Sequence, residues 1–297
     1  MTEADDTWQA CYIQPTDVSV LDVLLPIGFP RNNFVVISGE SGTGKKALVA
    51  ELVYRVASRG EPIILLTTDS PPLGLYHRFR SLGWDFQKLV EEDQIHIVDA
   101  FSGLVEEDEV TFKKLPPINI EIYHHLEHCI TTVSDEENLK LIFRYIYQQL
   151  NRFNMVNQGI IVIDSLTELY SRVGALSLYH ELKILRAIAC AFRFVPVFGI
   201  AHFGVSEEFP RGIDYLMDGL IDLRYDPALM EKGILLKQVR IRKLADTLVL
   251  PYWVSFIIRR KQGTIPLINP SEHLQSLVDM FETRLNEITG KTIHEQD

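Results

Sequence analysis

The run Gly39-Glu40-Ser41-Gly42-Thr43-Gly44-Lys45-Lys46 constrains this chain more than any other stretch. It fits G-x-x-x-x-G-K and sits in the setting that pattern requires. Before it, Phe34-Val35-Val36-Ile37-Ser38 is a short apolar run rich in β-branched residues. After it, Leu48, Leu52 and Val56, with Val49 and Val53 beside them, form one apolar helical face that Gly60 is placed to end. Strand, glycine loop and helix in that order let the backbone curl around a phosphate. Amide N–H groups and the positive end of the helix face the anion, and Lys45 adds a point charge toward the β- and γ-phosphates. Glycine turns also serve plain strand–helix packing, but the full spacing in this context favours a nucleotide, with ATP the expected ligand of residues 39–46.

The pattern continues as an α/β protein. Strands are expected at Pro62–Thr68, Ile95–Val98, Gly159–Asp164 and Val195–Ala201, and helices at Leu73–Leu82, from Leu139 to Leu150, and at Ser177–Phe192. Ser134-Asp135-Glu136-Glu137 reads as a capping box ahead of the Leu139 helix. From Gly219 to about residue 268 strand-like runs follow one another, which suits an antiparallel extension of a mainly parallel sheet flanked by helices. Leu274, Leu277, Val278, Phe281, Leu285 and Ile288 form a stripe on an expected C-terminal helix.

Composition narrows the partners. The 297 residues carry 29 Lys+Arg against 40 Asp+Glu, a net charge of −11 that would repel a long phosphate backbone, so nucleic acid is not an expected partner. Cys11, Cys129 and Cys190 are sparse and far apart, the usage of a reducing compartment. No apolar run approaches the roughly 18 residues of a membrane span, so a cytoplasmic location is expected.

Two further residues belong to the phosphate chemistry. Ser or Thr normally follows the loop lysine and offers a hydroxyl to Mg²⁺, whereas Lys46 offers only a cation. Magnesium is then held through waters and other residues, or the ammonium partly replaces it, or nucleotide binds without efficient chemistry; ATP binding with weak dependence on Mg²⁺ is expected. Ile160-Ile161-Val162-Ile163-Asp164 is an apolar strand ending in a carboxylate, the way a metal-facing acid is presented, although Asp164 could equally cap the next turn.

These residues resemble the KaiC-like branch of the RecA superfamily of P-loop ATPases. Similarity extends to Thr16-Asp17-Val18 with Leu21-Asp22-Val23-Leu24-Leu25, to Gly28-Phe29-Pro30-Arg31, Leu82-Gly83-Trp84-Asp85 and Val162-Ile163-Asp164-Ser165-Leu166-Thr167, and to Asp218-Gly219-Leu220-Ile221 and Gly263-Thr264-Ile265-Pro266. On this basis residues 15–268 form a RecA-type ATP-binding domain, preceded by a tail at 1–14 and followed by the helix and tail at 269–297. The segment from Glu106 to Thr132 lies outside the resemblance.

The resemblance implies an ATPase that acts as a regulatory or assembly component in a homo-oligomer, with a hexamer as the family's form. Active relatives carry paired glutamates where this chain has Asp69 and Ser70, so the resemblance gives Asp69 the role of activating water. The carboxylate is one methylene shorter, which weakens catalysis; a plain strand-ending turn is the other reading. The resemblance also aligns Arg240 and Arg242 with a basic pair that reaches the γ-phosphate of a neighbouring subunit. Their alternation with Val239 and Ile241 puts both guanidiniums on one strand face, as a solvated edge would also do. His202 stands where relatives place a γ-phosphate sensor, or is a structural histidine.

Other constellations carry less. His124/His128 and His125/Cys129 are i,i+4 pairs if helical, but they supply too few ligands in one direction for a closed metal site. The loop from Phe203 to Gly212 has two acids and one base, a poor clamp for single-stranded DNA, which places a recombination role behind a regulatory one.

Overall fold

The computed structural model describes residues 13–104, 117–135, 137–202, 212 and 215–267. The chain opens with β1 (Ile13–Gln14), α1 (Ser19–Asp22) and β2 (Phe29–Pro30), then enters β3 (Phe34–Gly39), α2 (Lys45–Ser58) and β4 (Ile63–Thr67). Helices α3 (Pro72–Leu82) and α4 (Phe86–Glu91) lead to β5 (Ile95–Asp99), and α5 (Pro117–Leu126) leads to β6 (Ile130–Thr132). Next come α6 (Leu139–Arg152), β7 (Ile160–Asp164), α7 (Leu166–Val173), α8 (Ala175–Leu185) and β8 (Val197–His202). The remainder is β9 (Gly219–Tyr225), α9 (Pro227–Met230), β10 (Lys237–Leu244), β11 (Val254–Arg259) and β12 (Gly263–Pro266).

All but β1 and β2 join one ten-stranded sheet in the order β12-β11-β10-β9-β3-β8-β7-β4-β5-β6. From β9 to β6 every pairing is parallel, and β10, β11 and β12 add antiparallel strands at one side. The expected α/β class, with a mainly parallel sheet and an antiparallel extension, is therefore what the chain forms.

Strands β3, β4, β5 and β7 are buried along their whole length, which explains why β3, β4 and β7 read as near-continuous apolar runs, while β5 carries the buried His96 within its run. Side chains on one face, including Val35, Ile37, Leu65 and Val162, pack with α2, α3, α4 and α5. Those on the other, including Val36, Ile64, Ile161 and Ile163, pack with α6, α7 and α8. The result is helices on both sides of one sheet.

Several segments that carry the family resemblance act as latches. Thr16 donates to Asp22 Oδ1 through both its backbone N–H (2.9 Å) and its hydroxyl (2.6 Å). Gly83 takes a positive φ of 81° to end α3, Trp84 stacks on Tyr54 at 5.1 Å, and Asp85 caps α4 by accepting from Lys88 N. Glu51, fully buried on α2, accepts from both the N–H and the hydroxyl of Thr264 at 2.6 Å. Gly263 makes this possible, because a β-carbon there would lie 2.1 Å from the Glu51 carboxylate.

Some boundaries differ from expectation. The capping box at 134–137 is not used: Asn138 caps α6 instead, accepting from Leu141 N at 3.1 Å. The single helix expected over 177–192 is α8 followed by a π-helical turn at Arg186–Ala191. Helices α4, α5 and α7 and strand β6 were not anticipated; α4 and α7 are short, and β6 is a three-residue edge strand. The C-terminal stripe from Leu274, the loop at 203–211 and Cys11 lie outside the described residues. Among the described residues, no helix is long and apolar enough to cross a membrane.

The Glu51 latch predicts a stability effect. Glu51→Ala leaves the Thr264 N–H buried without an acceptor, which costs about 1–3 kcal/mol and lowers Tm by roughly 2–10 °C. Thermal and urea unfolding of the variant beside the wild type measure this.

Candidate nucleotide site

The carboxyl ends of parallel strands are where open α/β sheets bind ligands, and the expected site residues other than Arg240 and Arg242 meet at that edge. In register, Gly39 at the end of β3 stands beside His202 at the end of β8, and Thr67 at the end of β4 stands beside Asp164 at the end of β7. Asp69 follows two residues after β4.

The loop is shaped by its glycines. Gly39, Gly42 and Gly44 have φ of 150°, 80° and 103°, the left-handed range that side chains resist. Gly39 is also pressed against its neighbour, since a β-carbon there would lie 2.2 Å from the carbonyl oxygen of Leu223. Thr43 Oγ1 donates to Glu40 O at 2.8 Å, and Lys45 Nζ donates to Gly39 O (2.7 Å) and Glu40 O (2.6 Å). Gly44 is the N-cap of the 14-residue α2, whose first turn adds unpaired N–H groups and the positive helix end. The arrangement can grip a phosphate.

Lys46, next along α2, reaches across to the other strand ends. Its ammonium lies 2.7 Å from both carboxylate oxygens of Asp69 and 3.4 Å from Oδ1 of Asp164. Arg78 on α3 approaches the other oxygen of Asp164, with Nη1 3.5 Å from Oδ2. Asp164 is 2% exposed, and burial pushes its carboxyl above the ordinary range while the Lys46 and Arg78 cations oppose the shift. His202 Nε2 lies 3.9 Å from Asp69 Oδ2; burial and the neighbouring Lys45 and Lys46 hold the imidazole below its usual pKa.

One atom each of Asp69, Asp164 and His202 lie within 4.8 Å of one another, the one grouping among the described residues that could converge on a metal ion. Magnesium seeks an octahedron of oxygens. Here both Asp69 oxygens are taken by Lys46, Asp164 is shared between Lys46 and Arg78, and position 46 offers no hydroxyl. Only Asp164 Oδ1 lacks a hydrogen bond, and it already faces the ammonium. The residues present do not fit a magnesium ion as they stand.

Arg240 and Arg242 lie on the sheet face away from α2, because Val239 and Ile241, which alternate with them, pack into the α2-side core. Both hold Asp222: Arg240 Nε is 3.1 Å from Oδ2, and Arg242 Nε is 3.0 Å from the same oxygen. Asp222 also accepts from Ser38 Oγ at 3.1 Å, which ties the arginine pair to the strand leading into the loop.

Sequence reasoning missed Asp222, Arg78 and Arg172 as members of this region. Arg172 donates to Thr68 O (2.6 Å) and Ala100 O (2.8 Å), fixing the turns after β4 and β5. Thr167 Oγ1 accepts from His202 N at 2.8 Å. Among the weaker candidates, His124 is exposed beside Glu127, His128 faces Val90 O, and Cys129 is buried against Leu126 O, so they do not converge.

Lys45 provides a pH signature. Desolvation, with Lys46 adding to it, pulls its ammonium down to about 8. A bound triphosphate favours the charged form, so the proton lost above about pH 8 is regained on binding. Affinity for ATP is accordingly expected to be nearly full near pH 7 and to fall as pH rises through 8, with Lys45 taking up much more of a proton at pH 8.5 than at pH 7. Calorimetry in buffers of different ionisation enthalpy reads this directly, and Lys45→Met should abolish the uptake.

The sequence model of the family described as "ATPase: KaiC" matches residues 14–270. A UPF0273 protein of Saccharolobus solfataricus is 24% identical over 235 residues, covering 78% of this chain and 75% of that protein. One of Pyrococcus furiosus is 26% identical over 214 residues, covering 71% and 77%. The crystal structure of a KaiC-like protein of Pyrococcus horikoshii shares the fold, with a TM-score of 0.62 and 22% identity over 86% of this chain and 98% of that one. The chain therefore belongs to the KaiC ATPase family, as a nucleotide-binding protein of the ATPase type with a RecA-type core.

Proposed function

We propose that this protein binds ATP at residues 39–46, turns it over slowly, and acts as a regulatory or assembly component whose subunits associate around the nucleotide. The observation that carries the reading is the meeting of Lys45, Lys46, Asp69, Asp164 and His202 at one sheet edge beside the glycine loop. In this reading the amides of residues 39–45 and Lys45 hold the phosphates. Asp164 orients the cationic side of the site, and Asp69 is the candidate base for water.

Slow turnover follows from the same geometry. A base must be free to take a proton from the attacking water. Asp69 is held through both oxygens by Lys46 at 2.7 Å, so one acceptor site on each oxygen is already engaged. That observation also favours a second reading, a nucleotide-sensing scaffold with no hydrolysis at all. Phosphate release separates the two: slow turnover that disappears in Lys45→Ala supports the ATPase, and release no greater in the wild type than in Lys45→Ala supports the scaffold.

Association in trans rests on the arginines. Asp222 holds Arg240 and Arg242 as a fork on the face turned away from α2, with both side chains about a third exposed. Such a fork suits an anion presented from outside the subunit. Arg242→Ala is expected to weaken ATP-dependent assembly in sedimentation velocity while leaving ATP binding to the monomer intact. A wild-type protein that stays monomeric with ATP bound would remove the oligomeric part of the proposal.

A further inference from the structure

The position that a metal would take beside the loop is filled by this chain's own charge. Around it, among the described side chains, Lys46 and Arg78 pair with Asp69 and Asp164. The two carboxylates are thus matched by two cations without any added ion. The distances are those of formed ion pairs, and both Asp69 oxygens are engaged.

We propose that Lys46 is a tethered cation standing in for magnesium, so that this site holds its nucleoside triphosphate without a divalent ion. The inference rests on the nucleotide reading above and says how that site neutralises the phosphates.

Three features of the geometry support it. First, Lys46 lies in the first turn of α2, directly after the loop lysine, at the position whose hydroxyl would otherwise bind the metal. A hydroxyl needs an ion to carry its effect to the carboxylates. The four-carbon lysine stem spans the gap by itself and delivers a compact point charge with rotatable donors. Second, a divalent ion here would have to displace Lys46 from Asp69 and Asp164, or accept a position beside an ammonium group; Arg78 adds a second like charge at the other oxygen of Asp164. Third, the Lys46 side chain is 27% exposed, so its ammonium is not sealed into the core and stays within reach of a ligand entering over the loop.

The replacement has a chemical consequence. An ammonium supplies one positive charge and hydrogen-bond donors, enough to screen phosphate oxygens. It does not supply the double charge or the oxygen octahedron of magnesium. At the same time it occupies Asp69. Binding is thereby retained, and the transition-state charge is stabilised less than in a metal-loaded site.

The test is ATP binding by calorimetry at pH 7, once with EDTA and once with excess Mg²⁺, on the full chain. The wild type is expected to bind with Kd values within about threefold of each other, whereas Lys46→Thr should bind at least about tenfold more weakly in EDTA and recover with Mg²⁺. Phosphate release should become Mg²⁺-dependent in Lys46→Thr and stay insensitive to Mg²⁺ in the wild type. Wild-type affinity that drops tenfold or more in EDTA overturns the proposal, as does a folded Lys46→Thr variant indifferent to Mg²⁺. The wild-type comparison needs no variant, so it decides even if Lys46→Thr does not fold. Absence of ATP binding in both conditions overturns the nucleotide reading itself, and this inference with it.

Discussion

The site depends on how closely two strands can approach where β3 gives way to the loop. Gly39 leaves β3 between His202 of β8 and Leu223 of β9, and the Leu223 carbonyl occupies the space where any side chain at 39 would begin. The missing β-carbon lets β3 keep its hydrogen bonds on both sides up to its last residue while the backbone turns into a positive φ. From that point the parallel register fixes the remaining geometry. The ends of β8, β7 and β4 lie in sequence beyond β3, so groups more than a hundred residues apart in the chain are brought together without any long loop having to be ordered.

On that frame the ionic pattern departs from what the loop motif alone would suggest. Two lysines follow the glycines and diverge, Lys45 folding back over loop carbonyls and Lys46 crossing to the carboxylates. The same sheet edge thus holds a glycine-shaped loop and an internally neutralised acid pair. Outer contacts keep both in place: Arg172 pins the turns after β4 and β5, Thr167 fixes the backbone at His202, and the Glu51–Thr264 bond anchors α2 to the antiparallel strands.

Much of this was legible in the sequence, for reasons that can be stated residue by residue. Buried parallel strands must be apolar throughout, so β3, β4, β5, β7 and β8 announced themselves. The glycine loop is nearly unique in spacing, and Asp164 was marked by ending an apolar run. Elements whose stability comes from tertiary contacts were not visible. Helix α7 is eight residues long and β6 only three, too short for periodicity to speak. The cap of α6 shifted to Asn138 because Asn and Ser compete on nearly equal terms for that role. Lys46 could be seen to lack a hydroxyl, but its pairing with Asp69 could not, since the two are brought together only by the register of β8 and β7 between β3 and β4. Asp222 lay hidden for the same reason: its partners come from the adjoining strands β3 and β10.

The arginine fork has an optical counterpart. Trp253 sits beneath two guanidiniums, with the Arg224 carbon 3.8 Å and the Arg240 carbon 4.6 Å from its ring centre. Any turn of Arg240 away from Trp253 would lift one of those charges from the indole and leave the other. Trp253 is consequently a native fluorophore placed to register, in an unlabelled protein, which way that arginine is facing.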